Sequence, residues 1–276
     1  MGIEKSGIQC ARTTLPNSGL EISRIGLGFA HAHLIDPATR AALVDRALAL
    51  GITHFDTARL YSDGLSERAL GDLLAPRRAA VTISTKFGLL PTPLVGSMGK
   101  AAKPIRKVRT LADRLRLVPY PLRSYSAATM RKSLKASLRA LKTDYIDIYE
   151  VHEPQADTVL SDELVTELER AKAAGTIRSI GVSGNEIDAV VQRYRGVFDV
   201  IQAAESSWDA ALWVPDITHS LFSDTANRSS STLPPGSIRK MLHEALVRRP
   251  EGAVIVQTRS PERLTQLVEF AQQQAR

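Results

Sequence analysis

An acid, a lysine and a histidine each leave the end of a short β-prone run in this chain, and a tyrosine follows the acid one loop later. Asp56 closes Ile52-Thr53-His54-Phe55, with Tyr61 across the loop that follows. Lys86 closes Val81-Thr82-Ile83-Ser84-Thr85, and His152 closes Tyr145-Ile146-Asp147-Ile148-Tyr149-Glu150-Val151. A phenol ionises near pH 10, too high for easy proton exchange at neutral pH. An ammonium beside it favours the phenolate and lowers that value. An acid keeps the ammonium charged and oriented, and an imidazole donates a hydrogen bond to a reacting oxygen or joins a proton relay. The set suits moving a proton to or from an oxygen that gains negative charge. Each residue alone has an ordinary explanation: a loop cap, a half-buried aromatic, a solvated lysine, a satisfied core histidine. Their common position at strand ends outweighs those explanations.

That position has meaning in a barrel of parallel strands, whose C-terminal ends converge on one face. The chain has the required alternation. A turn cluster within 14–22 predicts a β-hairpin, and Arg24–Gly28 predicts a first barrel strand. Its glycines do not complete a GxGxxG dinucleotide fingerprint. Asp36-Pro37 opens a helix as N-cap and first helical residue, with Leu43, Val44, Ala47 and Leu48 as its apolar stripe and Gly51 at its end. Strands are predicted at 52–56, 81–85, 145–151, 177–182, 199–203, 217–222 and 253–257. Helices are predicted at 66–74, around 130–141, and at 161–174, 187–194, 235–248 and 261–274. Residues 206–215 are short for a sixth helix. Strand and helix in turn predict a single α/β domain, a (β/α)8 TIM barrel spanning 1–276. The stretch 88–125 breaks the rhythm as a long basic insertion after the third strand, far longer than usual βα loops.

The composition sets limits on function. The chain has 276 residues, 43% of them hydrophobic, enough for one large core. The one cysteine, Cys10, forms neither an intramolecular disulfide nor a cysteine-based metal cluster. No apolar run approaches the ~20 residues of a membrane span, and no secretory signal opens the chain. Met1–Ser6 matches only the short myristoylation pattern, so a cytoplasmic location is expected. The net charge of +7 belongs wholly to 88–125, where eight bases (Lys100, Lys103, Arg106, Lys107, Arg109, Arg114, Arg116, Arg123) face one acid, Asp113. Such a segment suits a nucleic acid or an acidic membrane surface. Its few aromatics, Phe87, Tyr120 and Tyr125, argue against stacking on single strands. A solvated lid, a subunit contact, or a dock for an anionic substrate or acyl carrier are the other readings. His31 and His33 near Asp36 read as solvent or substrate contacts, and no metal site is expected.

The acid, tyrosine, lysine and histidine, in this order, resemble the catalytic tetrad of the aldo-keto reductases. The stretches 20–28, Ser66-Glu67 with Leu70-Gly71, and Gly175–Ser183 are similar to that family as well. The resemblance implies an oxidoreductase that interconverts a small aldehyde or ketone and its alcohol, with Tyr61 as general acid/base supported by Lys86, Asp56 and His152. It implies a nicotinamide held by Ser183, Asn185 and Gln202, with Gly184 between the serine and the asparagine. His219 stands where the family has a stacking aromatic, and Trp208 and Trp213 are candidates for the substrate pocket or for packing. Gln257, Thr258, Arg259 and Arg263 correspond to the adenosine-phosphate clamp, because Ser260-Pro261 starts a helix whose free N–H groups favour phosphate. Gln257 replaces a lysine common there; Arg263 still implies NADP(H) ahead of NAD(H). The rival expectation is a non-catalytic nicotinamide-nucleotide-binding scaffold or regulatory subunit on the same barrel.

Overall fold

The computed structural model describes residues 7–31, 35–91, 122–222 and 233–272. A hairpin of β1 (Arg12–Thr14) and β2 (Glu21–Ser23) precedes the barrel. Then come β3 (Ile25–Gly28), α1 (Pro37–Ala49), β4 (His54–Asp56), α2 (Leu65–Leu74) and β5 (Thr82–Phe87). The ends of the insertion pair as the two-residue strands β6 (Leu89–Leu90) and β7 (Leu122–Arg123). The alternation continues with α3 (Ala127–Leu141), β8 (Ile146–His152), α4 (Asp162–Ala173), β9 (Ile177–Gly184), α5 (Asp188–Arg193), β10 (Val200–Ala204) and β11 (Ile217–His219). It closes with α6 (Pro235–Val247), β12 (Ala253–Val256) and α7 (Pro261–Gln272). Eight strands, β3, β4, β5, β8, β9, β10, β11 and β12, close a parallel barrel, a (β/α)8 TIM barrel in architecture.

Local chemistry sets the element limits. Asp36 Oδ1 accepts from Thr39 N at 3.0 Å, and Pro37 follows as the first helical residue. Ser126 and Ser161 cap α3 and α4 in the same way. Strand β11 stops at His219, short of the predicted 222, because Ser220 turns left-handed at φ 60°. No helix stands between β10 and β11. Residues 206–216 form turns, and Trp208 lies buried there under the guanidiniums of Arg248 and Arg249, 4.1 and 5.5 Å from its ring. Trp213 donates its indole N–H to Asp188 at 2.6 Å. Both tryptophans thus have packing partners in the wall after β10.

The barrel interior is a small apolar plug of Ile148, Val200, Ile217, Ala253 and Ile255, sealed by Leu15 and Ile22 of the hairpin. All but Ile255 sit in the N-terminal halves of their strands, leaving the C-terminal end for polar groups. A larger apolar layer joins the outer strand faces to the helices. Its tightest crossing is Gly71 on α2, where a Cβ would stand 2.3 Å from Ala140 O and 2.7 Å from Leu141 Cα of α3. Gly71→Ala should therefore prise α2 from α3 and cost about 1–3 kcal/mol. Thermal melting, expected to fall by several degrees, checks it. The bases Lys100 to Arg116 lie outside the described residues, as does His33. No helix among the described residues is long and apolar enough to cross a membrane.

Candidate active site

The strand ends bring the sequence-predicted residues together. Lys86, on β5, is fully buried and pairs with the Asp56 carboxylate from β4. Its ammonium also donates to Thr57 O at 3.1 Å and lies 3.1 Å from Glu150 Oε2 of β8. It sits 5.6 Å from the centroid of the Tyr61 ring. That ring meets His152, at the end of β8, edge to face at 5.8 Å between centroids.

Tyr61 opens a 3-10 turn, Tyr61–Gly64, that the barrel holds under strain. Ser62 and Asp63 both take left-handed φ, 53° and 55°, which non-glycine residues rarely adopt. Bonds on both sides fix the turn. Thr57 Oγ1 meets Ser66 Oγ at 2.8 Å, and Ser66 donates to Phe29 O at 2.7 Å. The buried Glu67 carboxylate accepts from Arg59 at 2.7 Å and from the Thr85 hydroxyl at 2.8 Å. Arg59 stands two residues before Tyr61 and Thr85 one before Lys86, so one carboxylate ties the two supports together.

Burial governs the protonation of this cluster. It disfavours the Lys86 ammonium, but Asp56 and Glu150 more than offset this and hold its pKa above the ordinary value. Burial pushes the Tyr61 phenol up, and Lys86 opposes this only in part, because Asp56 and Glu150 push the same way as burial. Lysine thus lowers the phenol as the sequence reading expects, but burial and the carboxylates outweigh it and the net shift is upward. Burial, then Lys86, His219 and Arg123, drives His152 far below the usual histidine range, so its imidazole is neutral. Burial lifts Glu150 to about 7, opposed by Lys86 and assisted by Asp56. His54, one pleat below Asp56, bonds Thr82 Oγ1 at 2.9 Å and is lowered by burial to about 4.

The remaining predicted residues fall in two groups. Ser183 pairs in register with His152 on one side and Gln202 on the other. Gln202 donates Nε2 to Asp56 at 3.1 Å. Gln202 Oε1 and His152 Nδ1 are both buried without a hydrogen-bond partner. Asn185 is exposed, and its side-chain amide is spent on Glu153 Oε1 at 2.8 Å. His219 ends β11, 2.9 Å from the Ser220 hydroxyl. Gln257, Thr258, Arg259 and Arg263 form the second group, after β12. Gln257 packs over Gly28, Thr258 Oγ1 accepts from Ser260 N at 3.2 Å, and Ser260 Oγ caps α7 by accepting from Arg263 N at 3.1 Å. Arg259 lies near enough to His31 to add to the burial that lowers its pKa.

A profile of the Aldo/keto reductase family matches residues 24–205, from the first barrel strand to the end of the sixth. The chain belongs to the aldo/keto reductase family. Curated relatives include an uncharacterized oxidoreductase, YqkF, of Bacillus subtilis, 30% identical over 204 residues that make 73% of this chain and 58% of the relative. A D-threo-aldose 1-dehydrogenase of a Pseudomonas species is 30% identical over 200 residues, 68% of this chain and 58% of that protein. The chain therefore spans little more than half the length of the curated relatives it matches. Among solved structures, the holo form of the aldo-keto reductase AKR11C1 from Bacillus halodurans superposes with a TM-score of 0.71 at 23% identity, over 95% of this chain and 91% of that one. At that identity the likeness concerns the fold.

For an aldo-keto reductase, the chain holds three supports that the sequence reading passed over: Glu150, Glu67 and Thr85. Parity was the available signal for Glu150. It precedes His152 by two positions on one strand and so shares its inward face. Glu67 and Thr85 gave no such signal, since their partnership depends on how α2 folds back on β5.

Proposed function

We propose that this aldo-keto reductase reduces a small aldehyde or ketone to its alcohol, or runs the reverse, with Tyr61 as general acid/base and NADP(H) as coenzyme. The observation that carries the reading is the buried Lys86–Asp56 pair beneath the Tyr61 ring, with a neutral His152 against that ring's edge. A phenol held above its ordinary value is protonated at neutral pH and is the proton donor that reduction requires. The bound coenzyme supplies a hydride to the carbonyl carbon. Tyr61 gives its hydroxyl proton to the oxygen, Lys86 offsets the charge left on the phenolate, and His152 offers the oxygen a hydrogen bond. Solvent then returns the proton to Tyr61, so the sum is one hydride and one proton added across C=O.

The residues fit a nicotinamide. Gln202 Oε1 is a buried acceptor without a donor, as an amide N–H₂ would require, and Ser183 adjoins it in register. The capped N-terminus of α7, with Arg263 and Arg259 nearby, favours a phosphate and supports NADP(H) over NAD(H). Asn185, committed to Glu153, would have to exchange partners to join them. A reducing compartment such as the cytoplasm agrees with a single buried, free Cys10.

Calorimetric titration with NADPH and NADH, followed by NADPH oxidation against a panel of simple carbonyls, tests the reading. NADPH should bind more tightly than NADH, and Arg263→Ala should weaken NADPH about tenfold, or 1.4 kcal/mol, with little change for NADH. Failure of either coenzyme to bind would overturn the enzyme. Binding without turnover of any carbonyl would favour a nucleotide-binding scaffold.

A further inference from the structure

We infer that Glu150 is a positioning residue that shares Lys86 with Asp56, so that proton delivery by Tyr61 weakens when Glu150 loses its own proton. The inference rests on the reading of Tyr61 as the acid. Its basis is a carboxylate built into the barrel where the chemistry of the tetrad makes no demand for one. Glu150 is fully buried on β8, in register with Lys86 on β5 and Gly181 on β9. Gly181 leaves it room: a Cβ there would stand 2.8 Å from Glu150 Cγ. One oxygen lies 3.1 Å from the Lys86 ammonium, and no other donor reaches either oxygen. The ammonium is already committed to Asp56 and Thr57 O. Glu150 is therefore a second carboxylate on a cation that already serves Asp56.

The charge count decides the effect. With Glu150 protonated, Lys86 and Asp56 balance. With it ionised, the buried trio carries one net negative charge beside a phenol that must release a proton. That charge opposes formation of the phenolate and draws Lys86 toward the strand and away from the ring. Facing Glu150 are Lys86 from β5, Asp56 from β4 and Tyr61 from the turn beyond it. Gly181 of β9 brings no side chain, and His152 on its own strand stays neutral. His54, lower on β4, also stays neutral above about 4. Burial places the Glu150 transition at about 7, within the working range of such an enzyme, and the step belongs to the Glu150–Lys86–Asp56 trio as a whole.

The test is the pH profile of reductive kcat at saturating coenzyme for the wild type, Glu150→Gln and Glu150→Asp. Between about pH 6 and 8.5 the wild type should fall about tenfold, the effect of one pKa unit on the phenol. Glu150→Gln, the uncharged isostere, should level that fall, and Glu150→Asp should restore a step at a shifted pH. A merely structural role would rescale the rate and leave the shape of the profile alone. Parallel falls in wild type and Glu150→Gln would overturn the inference. If no carbonyl is turned over, the proposed function fails by itself, and Glu150 is judged by infrared difference spectroscopy. A buried carboxylic-acid carbonyl band should vanish from the wild type as pH rises through neutrality and be missing from Glu150→Gln. A wild type without that band overturns the assignment.

Discussion

Tyr61→Phe should lower carbonyl reduction by about 10²–10⁴-fold and leave coenzyme affinity within a factor of a few. The substitution is narrow. Phenylalanine keeps the ring that meets His152 at 5.8 Å and lies 5.6 Å from Lys86 Nζ, so packing of the turn survives. Only the hydroxyl is lost. No neighbour replaces it as a donor. His152 is pushed toward the neutral imidazole by burial and by Lys86, and Lys86 is held charged by two carboxylates. The loss should appear in single-turnover rates, where product release does not intervene. Retention of more than about a tenth of the rate would assign the proton to His152 or to water instead.

How much of this was readable before the fold was seen depends on how far each contact travels along the chain. Asp56, Lys86 and His152 announce themselves because each ends its own β-prone run, and parallel strands align such ends without further information. The hairpin was readable from its turn residues, although its strands lie at 12–14 and 21–23, outside the turn cluster itself. Strand β11 was overextended because nothing local marks Ser220 as left-handed. The lack of a helix between β10 and β11 agrees with a stretch read as short for one. Arg248 and Arg249, the partners that bury Trp208, lie too far along the chain to be foreseen. Asn185 looked like a free amide in sequence, but Glu153, from the loop after β8, accepts both its backbone and side-chain N–H groups.

The net direction of the Tyr61 shift was unreadable for a different reason. Residue types indicate which charges are present, but the sign depends on their number inside the barrel and on how far water is excluded. Lysine beside phenol, taken as a pair, favours phenolate. Lysine shared by Asp56 and Glu150, with burial added, does not. A ligand covering this end of the barrel would change that balance by excluding more water. The strained turn at Ser62 and Asp63 fits the same picture: the barrel holds Tyr61 at a geometry its local sequence would not choose, using Thr57, Ser66 and Glu67 as restraints.

Removing the shared cation exposes the cost of this arrangement. Lys86→Met should abolish turnover and destabilise the protein by about 3–5 kcal/mol at pH 8, because two buried carboxylates lose their partner. For a barrel of this size the melting temperature should fall by about 10 °C. The sign of the pH dependence separates this cause from a packing defect. Without Lys86, the buried Glu150 has a folded-state pKa raised still further above its unfolded one, so the folded protein binds more protons than the unfolded chain. Stability of the variant should then fall as pH rises from the unfolded carboxylate range toward neutrality and beyond. The deficit against wild type should be smaller at pH 5 than at pH 8. In the wild type, the raised Lys86 value gives a stabilisation that is complete below the ordinary lysine range and lost only as pH climbs past it. Adding Glu150→Gln to Lys86→Met should recover part of the loss at pH 8 and little at pH 5. Melting curves of the single and double variants at both pH values measure this coupling. An equal deficit at the two pH values would mean that Lys86 is held by shape and not by charge.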